Sequence, residues 1–568
     1  MRQRHSPGNP PASTFCADAL RHLRGAFCSW LVGGLLLGLL AGCGPSEPPA
    51  DLVIVNGAEP ETLDPHLNTG QPDGRIVDSI FEGVTRLNPT NALPEPGLAE
   101  RWDISPDGLQ YTFYLRPSAR WSTGPPITAH DVAFSWRRAL APETAADYAG
   151  LLYCIRNAEA FNRGWTNPTT RRPFTADDLG IRILASNIVQ VELEAPTPFF
   201  LNLCALRVFT ILPAHTVQTG GDRWMKTRPL PVSGAFQLEA WRVNHKVRLR
   251  KNPLYWDADH TRASVVDLLS TDQPTVALNL YMTGQADIIW DKNLVPPELF
   301  DLLKLRPDCH ISDFLGSYFL RFNVTRPPFN DRRVRRAFAL AVDRERITQR
   351  ITRGGEKAFS HFTPAGIPGY QPPQGLSYDP TAAARQLAEA GFPGGRGFPN
   401  TEYLMNSSRL NEQIGVELQD MWRKALGVRV ELRQVEWKVF LNDQSRTNYQ
   451  ISRSSWVADY QDPNTFLDLF TSNNGNNRTG WSHPPYDQLI LRANRETNAA
   501  RRMALFAEAE HILVREEVPI IPLYAYAGVE FYDASRITGI HPNPLGEHPL
   551  RNIGRIKAAP ATPATQSR

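Results

Sequence analysis

One stretch decides how much of this chain is free to fold as a globular protein: the uncharged apolar run from about Ala26 to Gly42, which holds Leu35, Leu36, Leu37, Leu39 and Leu40. It follows a basic, acid-poor start with Arg21, His22 and Arg24 and ends in Leu40-Ala41-Gly42-Cys43. At roughly fifteen residues it has the size of a signal-peptide h-region and falls short of the ~20 that a spanning helix needs. Beyond it the chain turns polar and proline-rich at Pro45, Pro48 and Pro49. Folding then concerns the chain from Cys43 onward, which at ~100–200 residues per domain predicts two to four domains. A hydrophobic content of 42% is ordinary for a globular protein, and no second apolar run is long enough to span a bilayer. The net charge of +3 gives no steering toward nucleic acid or an anionic membrane.

Small residues before a cysteine, after such a run, resemble a bacterial lipoprotein signal. That resemblance implies removal of residues 1–42, lipidation of Cys43, a tether over 43–50, and a protein held at the periplasmic face of a membrane by its lipid alone. Such a location excludes most ATP-driven and nicotinamide chemistry. An ordinary secretory signal or anchor with an incidental cysteine is the other reading. If Cys43 is lipidated, Cys154, Cys204 and Cys309 remain, so at most one disulfide forms and the sequence does not choose the pair. Their wide spacing matches no zinc pattern.

The rest reads as mixed strands and helices. Leu52–Val55 is a short buried strand. Alternation predicts strands at Tyr111–Leu115, Val189–Leu193 and Val247–Leu249. Helices are expected after Thr128-Ala129-His130-Asp131, after Asn330-Asp331, over Thr381–Ala390, around Ile414–Trp422, and over Arg501–Glu516. This order predicts an α/β or α+β architecture without internal repeats, and the Ala/Pro/Thr tail from Ala558 reads as disordered. No Walker A loop, dinucleotide fingerprint, nucleophile elbow or His-Glu-x-x-His is present, and the histidines are scattered. No cofactor or metal is expected. Arg332, Arg333, Arg335 and Arg336, with acids nearby, read as a solvated helix face.

The most informative acids lie in Arg453-Ser454-Ser455-Trp456-Val457-Ala458-Asp459-Tyr460-Gln461-Asp462-Pro463-Asn464. Asp462 before Pro463 fits an N-cap with proline at the first helical position, a structural task. Asp459 has no such task. It stands among Trp456 and Tyr460 and is a candidate to pair with a ligand cation, or else with Arg453 or another arginine.

Seven strings then bring a family into view. They are Asn56–His66, Phe81–Val84, Pro96–Trp102, Thr128–Trp136, Lys251–Trp256, Pro327–Arg335 and Trp456–Tyr460. In this order, over nearly all of the mature chain, they resemble the periplasmic oligopeptide-binding proteins of peptide ABC importers, large lipid-anchored solute-binding proteins of family 5. The resemblance implies a bilobed α/β periplasmic binding protein fold (type II, cluster C) of three domains with a hinge. Residues 51–81, 208–282 and 525–557 form a discontinuous lobe I, 82–207 an inserted domain, 283–524 lobe II, and 558–568 the tail. Short extended peptides lie between the lobes and pass to an inner-membrane permease; the protein itself is a monomer and not an enzyme.

The resemblance also implies that the acid at Asp459 pairs with the ligand's α-ammonium, that Trp456, Val457 and Ala458 supply backbone contacts, and that Arg453, Tyr148 and Trp437 line the cleft. A Glu of the best-known members appears here as Thr69 and a His as Asn411, so the holder of the ligand's C-terminus is open, with Arg409 and Arg453 as candidates. Murein peptides or dipeptides read by the same acid are the nearest alternative. A secreted hydrolase or a peptide-holding chaperone is the alternative of another class, and no local string offers the hydrolase a nucleophile beside a base.

Overall fold

The computed structural model describes residues 47–472 and 474–556. The signal over 1–42, Cys43 and the first half of its tether, and the tail from Ala558 lie outside the described residues. Among those described, no helix is long and apolar enough to cross a membrane.

One sheet of eleven strands organises the chain. Its edge-to-edge order is Val430–Val435, Thr401–Asn406, Ile451–Val457, Cys309–Phe322, Ile520–Tyr532, Ile288–Ile289, Leu52–Gly57, Val265–Ser270, Lys246–Lys251 and Phe236–Arg242, with Lys357–Ala358 beside Ile520–Tyr532. Leu52–Gly57 runs parallel to both its neighbours, and Thr401–Asn406 parallel to both of its own. Cys309–Phe322 and Ile520–Tyr532, of 14 and 13 residues, pair antiparallel along their lengths. Their register shifts between Asp313 and Ser317, where each strand passes from one half of the sheet to the other. A separate antiparallel sheet holds, in order, Ala99–Ile104, Gln110–Leu115, Ile188–Glu192 and Ile181–Ala185.

Each part has its own apolar core. Phe113, Trp136, Phe200 and Phe209 fill the four-stranded sheet's core. Leu52, Ile54, Phe236 and Val266 belong to a second, and Tyr318, Leu320, Tyr403 and Trp422 to a third. A core of Phe319, Phe362, Phe466, Phe470 and Phe506 lies across the long strands from the third. Ile288–Ile289 pairs with Leu52–Gly57, and Phe300 and Leu303 share a core with Val55 and Phe531.

Local chemistry explains the helix starts. The backbone N–H and hydroxyl of Thr128 both donate to the Asp131 carboxylate at 2.9 Å, opening Ala129–Leu140 with a reciprocal cap. Asp331 and Asp379 cap Arg332–Leu340 and Pro380–Glu389, the latter with proline in its first turn. Cys154, Cys204 and Cys309 are free thiols, so none of the open pairings forms; burial pushes the Cys154 thiol up to about 12.

Candidate functional site

A cavity of about 390 Å³ lies where six stretches of chain converge: 68–87, 148–151, 205–210, 234–255, 455–459 and 545–551. Three of the sequence strings, Phe81–Val84, Lys251–Trp256 and Trp456–Tyr460, contribute residues to its lining. Asp64 takes Arg138 Nη2 at 2.7 Å and the Trp224 indole N–H at 2.8 Å, which fixes the turn leading to Asn68 and Thr69. Burial pushes His66 down to about 4, and its Nδ1 accepts from Arg138 at 2.9 Å. Glu82 accepts from the Tyr255 hydroxyl and the Trp256 indole, each at 2.6 Å, so Phe81–Val84 and Lys251–Trp256 meet as one unit. Gly83 is required there, since a Cβ would stand 2.4 Å from the Cys204 carbonyl oxygen.

Asp459 enters from the end of Ile451–Val457. That strand pairs Val457 with Gly316, and Ala458 N–H donates to Leu315 O at 2.8 Å, so the chain is held up to the acid. Asp459 N–H donates to Thr465 Oγ1 at 3.2 Å. Among the described residues no hydrogen bond or ion pair reaches the Asp459 carboxylate. Burial pushes it up to about 6, against the opposing pull of the Arg207 charge. The same acid, after burial itself, helps raise the Tyr148 phenol. A half-buried carboxylate that lacks a partner binds a cation strongly, because the ion pair replaces a costly desolvated charge.

Trp456, Val457, Ala458, Asp459 and Tyr148 all line the cavity. Arg453, Arg409 and Trp437 do not. Arg453 sits back from it, its guanidinium 5.1 Å from the Tyr318 ring centre and close to Tyr403, Tyr524 and Tyr526. Asn411 braces this nest, accepting from the Tyr318 hydroxyl at 3.0 Å and donating to Asn406 Oδ1 at 3.0 Å. Arg409 pairs with Glu298 at 3.4 Å on the surface, and Trp437 stacks on Phe440. Thr69 lines the cavity. Asp462 has a structural task, though not the N-cap expected: the helix Asn464–Leu467 starts one residue later with Pro463 at its N-cap, while the Asp462 carboxylate accepts from Asn464 N–H at 2.9 Å and binds Arg502 through both oxygens, at 2.5 and 2.8 Å.

Sequence reading missed Asn68, Asp78, Arg207 and Glu547, all on the cavity wall. Arg207 binds Asp78 at 2.7 Å and Glu547 at 3.0 Å across 129 and 340 residues of chain. No local spacing encodes such a meeting. Among the described residues no group of His, Cys, Asp and Glu is placed to hold a metal ion.

Residues 94–478 match the model for bacterial extracellular solute-binding proteins, family 5 Middle. The chain is 33% identical over 486 residues to the periplasmic oligopeptide-binding protein OppA of Salmonella typhimurium, covering 84% of this chain and 87% of that one. It is 33% identical over 492 residues to a probable deoxycholate-binding periplasmic protein, YgiS, of Escherichia coli, covering 84% and 89%. The solved structure of the murein tripeptide binding protein MppA of Escherichia coli superposes with a TM-score of 0.77 at 30% identity, covering 90% of this chain and 99% of that one.

Proposed function

Because the chain belongs to the bacterial extracellular solute-binding proteins of family 5, we propose that it captures a short peptide in the 390 Å³ cavity and delivers it to an ABC permease of the inner membrane. The fold is that of type II periplasmic binding proteins. The carrying observation is the partnerless Asp459 carboxylate on the cavity wall, at the position where an α-ammonium would be neutralised. In this reading Trp456, Val457 and Ala458 offer main-chain groups to an extended ligand, contacts that every peptide can use. Tyr148 closes one side, and water fills what smaller side chains leave, at about 0–2 kcal/mol per ordered molecule. Arg453, Arg409 and Trp437 serve ligand residues that extend beyond the cavity.

The long strands Cys309–Phe322 and Ile520–Tyr532 act as the hinge between lobe I and lobe II, with 82–207 as the inserted domain. The protein works as a lipid-anchored monomer at Cys43 on the periplasmic face and performs no catalysis. An anionic amphiphile such as deoxycholate would place its carboxylate in a cavity that already holds an uncompensated acid, which disfavours that ligand.

Native mass spectrometry of the purified mature protein, with ligand released under denaturing conditions, tests the reading. Peptides of mixed sequence and narrow length in the wild type, absent from Asp459→Ala, are the expected result. A single non-peptide ligand, or peptides kept equally by the variant, would overturn it.

A further inference from the structure

Tyr460 leaves the core of its own neighbours. Ala458, Phe466 and Leu467, on either side of it in the chain, are buried in the core that holds Phe319 and Phe362. Tyr460 is 5% exposed and belongs instead to the core of the four-stranded sheet, whose other buried members run from Val84 to Ile211. There its ring stacks on Phe199, with centres 5.0 Å apart and planes 6° from parallel. The Arg502 guanidinium stands 5.6 Å from the centre of the same Phe199 ring and is fixed by both oxygens of Asp462. Phe199 thus meets two groups of the lobe that carries Asp459.

On its other side the four-stranded part is fastened to lobe I by polar bonds. Arg138 Nη2 binds Asp64 at 2.7 Å, Glu82 takes the Tyr255 hydroxyl and the Trp256 indole, and Val232 N–H donates to Ser122 Oγ at 3.1 Å. The meeting with Tyr460 and Arg502 has another character. It is made of ring faces, while the polar ends bond within their own lobe: the Tyr460 hydroxyl accepts from Asn464 Nδ2 at 3.3 Å, and Arg502 keeps Asp462. A stack and a cation over a ring attract through a wide, shallow geometry. Parting them breaks none of these bonds, which suits a contact that opens and re-forms.

The place of this contact links it to the ligand. Tyr460 directly follows Asp459, and Tyr148, Leu151 and Leu206, from the same part of the chain as Phe199, line the cavity with Asp459. Phe199, Tyr460 and Arg502 do not line it. We propose that Phe199 is a positioning residue for capture: when the lobes close, its ring docks on Tyr460 and Arg502, latches the four-stranded part to the loop that carries Asp459, and so sets how long a bound peptide is kept. This rests on the peptide and hinge readings above and names the contact that governs release within them. Because the latch touches no ligand atom, it acts on every peptide alike.

Surface plasmon resonance on immobilised ligand-free protein at pH 7.5 tests it with Ala-Ala-Ala and Leu-Ala-Ala. Phe199→Leu and Tyr460→Leu keep an apolar side chain in the core and lose the stack. Each is expected to speed release about tenfold or more and to leave the association rate within about threefold, because association begins from the open form. The factor on release should agree between the two peptides within about threefold, and the double variant should release no more than about threefold faster than the faster single one, since both changes break one contact. Tyr460→Phe, which keeps the ring, should restore wild-type release. Release unchanged in both leucine variants, while the wild type binds, overturns the latch and leaves the peptide reading standing. An association rate that falls as far as release rises, effects that multiply in the double variant, or release from Tyr460→Phe as fast as from Tyr460→Leu would each assign the pair to upkeep of the ligand-free protein and overturn the latch as well. A wild type that binds neither peptide overturns both readings together.

Discussion

The loop after Ile451–Val457 has two faces, and its acids show what separates a binding site from a scaffold. Residues 455–459 face the cavity, and Asp459 there lacks a partner. Residues 460–464 face the protein: Tyr460 stacks on Phe199 with ring centres 5.0 Å apart, and Asp462 is locked to Arg502 and to the Asn464 N–H. Both acids are shielded from bulk water, three positions apart. One has had its charge answered by the fold and the other has not, so stability is invested in Asp462 and ligand affinity is held back at Asp459.

The largest expected effect breaks the scaffold side. Asp462→Ala leaves the Arg502 guanidinium buried and unpaired, which should cost about 3–5 kcal/mol in urea unfolding. Asp459→Asn in the same experiment should leave stability equal or higher, since it removes an uncompensated charge. A loss above about 1 kcal/mol for Asp459→Asn would show that the fold does use that carboxylate, and the contrast between the two faces would fail.

Next comes ligand affinity. Asp459→Ala should weaken peptide binding by about 2–5 kcal/mol, as for one partner of a desolvated charge pair. Acetylating the peptide's α-amine should cost a similar amount in the wild type and almost nothing further in the variant, because both changes remove the same contact. Additive losses would place the ammonium somewhere other than Asp459.

A smaller effect follows from the acid pushed up to about 6. The unfolded chain releases this proton near 4, so between these values the folded state holds a proton that the unfolded state has lost. This group's contribution to stability is therefore fully present below about 4 and is lost as pH rises through about 6. Affinity for an ammonium runs the other way, because the carboxylate must be ionised to pair. Between pH 7 and pH 5 the association constant for Ala-Ala-Ala should fall about tenfold, or about 1.4 kcal/mol, and Asp459→Asn should flatten most of that slope. An equally steep slope in the variant would assign the titration to Asp78, whose carboxylate is also pushed up to about 6.

What the sequence made legible follows the same division. Capping chemistry is local, so Thr128 with Asp131, and Asp331, could be read within three residues of each helix start. Alternation located Gln110–Leu115 and Ile188–Glu192 because each strand has one core-facing side, whereas Lys246–Lys251 is buried on both faces over its first four residues, its alternating Lys246 and Arg248 being held by Asp267. Asp459 stood out because no neighbour in sequence explained it. The Asp78–Arg207–Glu547 cluster stayed hidden for the opposite reason: its members lie in three unrelated segments, each ordinary alone, and only the folded chain joins them. Arg409 and Trp437 show the converse, since chemically suitable types in a suitable segment stand outside the cavity.

Those two residues give the smallest expected effect and the sharpest limit on ligand size. The Arg409 side chain is 76% exposed and Trp437 48%, and their partners Glu298 and Phe440 lie outside the cavity too. An exposed ion pair contributes little, and surface truncation away from a site usually stays within ±0.5 kcal/mol. Arg409→Ala and Trp437→Ala should therefore each change tripeptide affinity by less than about 0.5 kcal/mol. The same titration with a hexapeptide separates two geometries. If affinity for the longer ligand also ignores both variants, neither residue serves the ligand, and of the three placed beyond the cavity Arg453, on the Ile451–Val457 strand, remains to hold its C-terminus. If Arg409→Ala weakens only the longer peptide, the cleft continues past the cavity toward the helix Arg409–Leu426, and the carboxylate contact lies there.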